Sequence, residues 1–381
     1  MESSKSDKFI YGTWLKLLCL YFIMFGLSAT IPIVAMYPDL GFPCYFNALV
    51  NYTTVNLTQY NEAKHLTPTF FLETYEMFAY MLISFFIDCA SAIYYFVGAY
   101  SVFKAKQKHV NRLTSLSQWI CLVGGPTQIF LGILRMWTIQ LFIHTLSYKH
   151  IFLTVFVYTI HFCLSVIYIQ CYISRNCKLW NLKMMEQHIP EGTLLEVLVF
   201  YIKPVIVNAQ LFCLALELLV FSLSLFMAVG NSFLVVVSDI VLGSINMYLG
   251  SAFIIFIHIE VFYVKFMKVL FGFHLGVAIA SIILALPLLR YEHIFIAAQL
   301  QSIIAINITC IPILTIMAIC VRLARMYYCY APATTHYTPL VTRKPVLFEV
   351  KKKKRKSRNS KHYENGPAIM DSSDDDYDEL S

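Results

Sequence analysis

Eight apolar runs of about 20 residues each, separated by short polar segments, leave this chain very few folds. No water is available inside a bilayer to bond a free N–H or C=O, so a run of that length crosses as a helix that satisfies its own backbone. The runs are Trp14 to Met36, Phe78 to Phe103, Gln118 to Trp137, Ile151 to Ser174, Val205 to Ala228, Phe233 to Phe256, Val269 to Leu289 and Ala297 to Val321. Apolar residues make up 59% of the 381 and charged ones 13%, which excludes a water-soluble domain and calls for lipid as solvent. The predicted fold is all-α: one polytopic helical bundle of eight transmembrane helices with no separate globular domain. Gly124, Gly125 and Pro126 interrupt the third run, which predicts a kinked full span, with a re-entrant segment as the alternative. The first run is too long for a cleavable signal peptide and lacks a small-residue cleavage site, so it reads as a retained span.

Basic residues beside the spans set the orientation, because loops rich in Lys and Arg stay in the cytoplasm. They lie in the N-terminal segment 1–13 with Lys5 and Lys8, in the loop with Lys104, Lys106, Lys108 and Arg112, in the loop with Arg175, Lys178 and Lys183, in the turn Lys265 to Lys268, and in the tail 322–381. Both termini are therefore expected in the cytoplasm. The longest intervening loop, 37–77, carries only Lys64 against Asp39, Glu62, Glu73 and Glu76, and is expected in the lumen. Two acceptor triplets for N-glycosylation, Asn51 with Thr53 and Asn56 with Thr58, fall in that loop and agree with the charge rule. A third, Asn307 with Thr309, falls inside the last span, out of reach of the transferase.

Of the 11 cysteines, eight lie within or at the ends of apolar runs, and Cys177 and Cys329 face the reducing cytoplasm. Only Cys44 faces the oxidising lumen, where it either stays free or pairs with another protein. The sequence holds no C-x-x-C pair, no H-E-x-x-H helix and no glycine-rich phosphate loop, so it gives no support to a metal, a cofactor, a nucleic-acid partner or catalysis.

Ionisable groups at membrane depth are costly and are functional candidates by default. Asp88, His161 and Glu217 each lie about ten residues, or about 15 Å, from an end of their runs. Such a trio either pairs across helices and holds a bundle together or serves as a proton or ion relay, the latter making the chain a transporter, channel or receptor. Arg135 and Asp239 both read as lying toward the lumenal side, which suggests an ion pair between the third and sixth spans. Gly272 and Gly276 have the spacing that lets helix backbones approach closely, at the cytoplasmic edge of the seventh span. No internal repeat of the kind that builds secondary transporters is visible.

From about Arg322 the chain turns polar and is expected to be a disordered, charged tail, with a basic run from Lys351 to Lys356 that reads equally as a contact for anionic lipid, a nuclear-import patch or the positive-inside signal of the last span, and an acidic cluster at Asp374, Asp375, Asp376, Asp378 and Glu379. Tyr337 with Leu340 and Tyr377 with Leu380 fit the tyrosine-based pattern that clathrin adaptors bind, and Ser372 and Ser373 sit among acidic residues as candidate phosphorylation sites.

Several blocks together resemble the glycoprotein M family of the herpesviruses, closest to its gammaherpesvirus branch. They are Leu40-Gly-Phe-Pro-Cys-Tyr45, Asn56-Leu-Thr58, His65-Leu-Thr-Pro68, Arg135-Met-Trp137, Gln140-Leu-Phe-Ile-His144, His161-Phe-Cys163, Gly230-Asn-Ser-Phe233 and Gly272-Phe-His-Leu-Gly276. The resemblance implies eight spans with both ends inside, in an envelope protein that pairs with the small glycoprotein N, escorts it from the endoplasmic reticulum, and acts in virion assembly, secondary envelopment, egress and control of membrane fusion. It also implies that Cys44 bridges that partner. Tyr337, Tyr377 and the acidic cluster would direct the complex to the trans-Golgi network, with endosomes, the inner nuclear membrane and the virion membrane as further stations. Tegument proteins are an expected contact of the tail.

Overall fold

The computed structural model describes residues 2–34, 72, 74–108, 116–148, 150–179, 189, 192–233, 235–261, 270–290 and 292–330. Among these the secondary structure is helical: α1 (Glu2–Val34), α2 (Thr74–Lys108), α3 (Leu116–Gly124), α4 (Pro126–Ser147), α5 (Ile151–Leu179), α6 (Leu194–Val197), α7 (Lys203–Phe233), α8 (Val237–Val261), α9 (Gly272–Arg290), α10 (Glu292–Ala297) and α11 (Gln301–Tyr330). A single π turn, Leu198–Ile202, joins α6 to α7. Eight helical stretches are long and apolar enough to cross a membrane, so the chain is an all-α polytopic membrane bundle. Cys44, Asn51, Asn56 and the tail signals at Tyr337, Leu340, Tyr377, Leu380, Asp374, Asp375 and Asp376 lie outside the described residues.

The bundle is organised round α7, which packs against α2, α5, α8 and α9. One apolar core surrounds it, with Leu214, Leu218, Tyr248, Phe273, Leu284 and Ile308 all buried. A second core lies beside α1, where Trp14, Tyr95, Trp119, Ile129 and Leu198 meet. Helix α1 packs mainly on α4, while α11 closes the other flank against α9 and α8.

The third run breaks at Gly125, and the helix resumes at Pro126, a residue suited to a first helical position because its missing N–H is unpaired there anyway. The 22 residues of α4 then span about 33 Å, a full bilayer crossing by themselves. A break of this kind strands the last carbonyls of α3, and three other helices satisfy them. Trp14 of α1 donates to the Gly124 carbonyl at 2.8 Å, Tyr94 of α2 to Val123 at 2.7 Å, and Lys203 of α7 to Leu122 at 2.7 Å. Lys203 is 4% exposed, and its charge sits at the negative end of the α3 dipole.

Helices α7 and α9 come together at the two glycines of the G-x-x-x-G pair. A Cβ on Gly272 would lie 1.9 Å from the Asn208 carbonyl oxygen, and one on Gly276 would lie 2.6 Å from that of Phe212. The obstacle in both cases is backbone, which cannot rotate aside. Asn208 also accepts a hydrogen bond from the Gly272 N–H at 2.8 Å, tying the N-terminus of α9 to α7. We therefore expect Gly276→Val to destabilise the protein by about 1–3 kcal/mol or more through overpacking, read as a lower detergent-phase melting temperature. Gly26→Val, where a Cβ meets nothing within 4 Å, should melt like the wild type; equal melting of both variants would contradict the close approach.

Candidate functional site

At mid-membrane the structure gathers four ionisable groups from four helices. Arg135 of α4 is 4% exposed and sits between two carboxylates. Its Nη2 donates to Glu217 Oε1 of α7 at 3.1 Å, and its Nη1 lies 3.6 Å from Asp88 Oδ1 of α2. The same Nη1 donates to Gln210 Oε1 at 2.6 Å; Gln210 donates in turn to Ser91 Oγ at 2.8 Å, and Ser91 donates to the Ile87 carbonyl. His161 of α5 places Nε2 3.6 Å from Glu217 Oε1, while its Nδ1 lies 3.2 Å from the Arg135 carbonyl and 3.1 Å from Thr138 Oγ1. The Cys213 thiol donates to Glu217 Oε1 at 3.5 Å. Tyr158 donates to the Glu217 carbonyl at 3.3 Å and pairs with Tyr80 at 2.9 Å, and the Tyr168 ring lies under the guanidinium at 5.8 Å. Asp88, the most open member, borders a cleft between α1, α2 and α4 that Ser28, Ser84 and Met136 also line.

Asp88, His161 and Glu217, the trio expected at the midplane, thus meet in space, and Arg135 is the group that joins them. The expected pair between Arg135 and Asp239 does not form, for a structural reason. Because α4 starts afresh at Pro126 and runs to Ser147, Arg135 stands near the middle of its span. Asp239 instead lies in the first turn of α8, where an acidic side chain is favoured by the helix dipole. Sequence reasoning does not single out Gln210 and Cys213, yet with Glu217 they fall at spacings of three and seven and so share one face of α7.

Two further clamps flank this cluster. On the side opposite the basic loops, Arg290 at the end of α9 donates to Glu76 of α2 at 2.9 Å. On the basic side, Glu260 of α8 receives Arg322 of α11 through Nε at 2.8 Å and through Nη2, and His274 of α9 stands 3.5 Å from it. Arg322 also donates to the Leu270 carbonyl, and Arg325 to that of Glu260. Helix α11 extends to Tyr330, so both arginines belong to the bundle although the sequence suggested that the tail begins at Arg322.

The sequence profile described as herpesvirus glycoprotein M matches residues 7–340. The chain belongs to the herpesvirus glycoprotein M family. It is 58% identical to envelope glycoprotein M of Equine herpesvirus 2 (strain 86/87) over 340 residues, covering 89% of this chain and 90% of that protein. It is 51% identical to envelope glycoprotein M of Epstein-Barr virus (strain GD1) over 327 residues, 86% of this chain and 80% of the relative. With the protein of the same name from Human herpesvirus 8 type P (isolate GK18) it shares 48% over 347 residues, 91% and 87% of the two chains. No solved structure matches it. Glycoprotein M membership and the eight apolar helices make the chain a multi-pass protein of the virion envelope.

Within this glycoprotein M bundle the midplane cluster ties α2, α4, α5 and α7 together. Arg135→Met would leave the buried Glu217, and the partly exposed Asp88 beside it, without their counter-charge, a loss of about 3–5 kcal/mol. Asp88→Asn should cost clearly less, because Asp88 is the more exposed and more distant carboxylate. Melting of purified protein in mild detergent checks this, and an Arg135→Met variant as stable as the wild type would refute the clamp.

Proposed function

We propose that this chain acts in the viral envelope as an assembly and trafficking scaffold, pairing with a small partner, glycoprotein N, and carrying it through the secretory pathway. The observation that carries the reading is the match to the glycoprotein M profile, which spans residues 7–340, a range that includes the loop bearing Cys44. Cys44 is the group we assign to the covalent link with the partner, Asn51 and Asn56 to glycosylation, and Tyr337, Tyr377 and the acidic cluster at Asp374, Asp375 and Asp376 to delivery to the trans-Golgi network through clathrin adaptors. From there the complex serves secondary envelopment, egress and control of fusion, with the tail available to tegument proteins and anionic lipid.

The cluster at mid-membrane supports a scaffold over the transporter alternative. A relay passes protons between groups that gain and lose them, and an arginine guanidinium does not lose its proton. Here Arg135 stands directly between Asp88 and Glu217, so the arrangement interrupts a proton path while bonding three helices. A fixed positive charge of this kind also repels entering cations.

Expression of the chain with glycoprotein N, followed by reducing and non-reducing gels, tests the proposal. A heterodimer that disappears on reduction and is absent from Cys44→Ser is the expected result. Wild-type protein running as a monomer under both conditions would remove the covalent link from the account.

A further inference from the structure

Outside the clamps described above, many polar side chains along the spans bond back to their own helix. Asn231 donates to the Met227 carbonyl and Asn208 to that of Pro204, each one turn back on its own helix. Thr309, Thr315, Ser222, Ser224 and Ser244 do the same. Asn246 of α8 and Asn307 of α11 do not. They bond to each other across the two helices, Asn307 Nδ2 donating to Asn246 Oδ1 at 2.7 Å on the outer surface of the bundle.

That single bond leaves both N–H groups of Asn246, one N–H of Asn307 and the Asn307 carbonyl oxygen without a partner among the described residues. Asn246 lies nine residues into its span, about 14 Å from the near end, and it is exposed. Amide groups at that depth face hydrocarbon, where unpaired donors and acceptors are expensive and recruit another helix. The surface beside them is shaped for one. Gly250, one turn along α8 from Asn246, is exposed and a Cβ there would meet nothing within 4 Å, so a neighbouring helix can come close. On α11, Cys310 follows Asn307 by three residues and keeps the adjoining wall low.

We infer that this face, centred on Asn246, Asn307 and Gly250, pairs with the same face of a second copy of the chain. The symmetry of a membrane argues for a copy over a foreign helix. Two copies inserted in the same orientation are related by a two-fold axis along the membrane normal, which brings the same face of each together, keeps equivalent residues at equal depth, and pairs like with like where the axis passes through the face. An amide is self-complementary, offering both donor and acceptor, and a glycine opposite a glycine gives the closest helix approach. The leftover N–H and C=O groups of the asparagine pair therefore find their complements in an identical pair. The inference is independent of Cys44 and of glycoprotein N, and either can fail without the other.

Two differently tagged copies, co-expressed and extracted in mild detergent, give the test. The wild type should recover both tags together, and the Asn246→Leu/Asn307→Leu double variant should associate about tenfold more weakly while melting at the wild-type temperature. In membranes, Asn246→Cys should cross-link to its equivalent under copper-phenanthroline, while Phe156→Cys, exposed on α5, should not. This second readout holds even if the leucine variant folds poorly. Wild-type protein that does not self-associate, unchanged association in the double variant, or loss of some other single-span chain in place of the second copy would each overturn the inference.

Discussion

A guanidinium fixed at the middle of a membrane is the constraint on which the rest of this bundle rests. Arg135 keeps its charge at any accessible pH, and in hydrocarbon that charge must be matched and its donors bonded. Glu217, Asp88 and Gln210 supply the match from α7 and α2. Glu217 in turn stands against His161 and Cys213, so the demand of one arginine fixes the mutual rotation of four helices. Apolar packing alone would not do this, because lipid tails are as apolar as leucine and give helices little reason to prefer one another.

The same logic runs outward in both directions. Glu76 with Arg290 on one side and Glu260 with Arg322 on the other repeat the pattern of an ion pair between helices distant in sequence. At α3 the pattern turns from side chains to backbone, where Trp14, Tyr94 and Lys203 take up the carbonyls released at Gly125. Close approach of α7 to α9 at Gly272 and Gly276 adds a backbone contact of its own, with the Gly272 N–H donating to Asn208 Oδ1.

The eight spans were legible because bilayer thickness imposes one length on every crossing, and composition had to comply. Asp88, His161 and Glu217 were legible too, since charge is rare in such runs and depth can be counted along a helix. Hydropathy misplaces Arg135 along its span because it cannot say where a glycine-proline break restarts a helix: the run from Gln118 takes seven residues of α3 into the crossing. Gln210, Ser91 and Thr138 stayed hidden for another reason. Neutral polar residues are common in membrane helices, and only the fold decides which of them turn inward. The pairing of Glu260 with Arg322 joins residues 62 apart, a separation on which local pattern carries no information.

Family membership assigns the chain to the virion envelope, and the structure shows how such a chain is held together. The central claim is that Arg135 and its carboxylates form one energetic unit. A thermodynamic cycle of unfolding in detergent, comparing Arg135→Met, Glu217→Leu and the double variant, measures it directly. The double variant should be more stable than Arg135→Met alone, because removing Glu217 relieves the unpaired charge, with a coupling of about 0.5–3 kcal/mol. Strictly additive losses would show that the two groups act separately and would contradict the account.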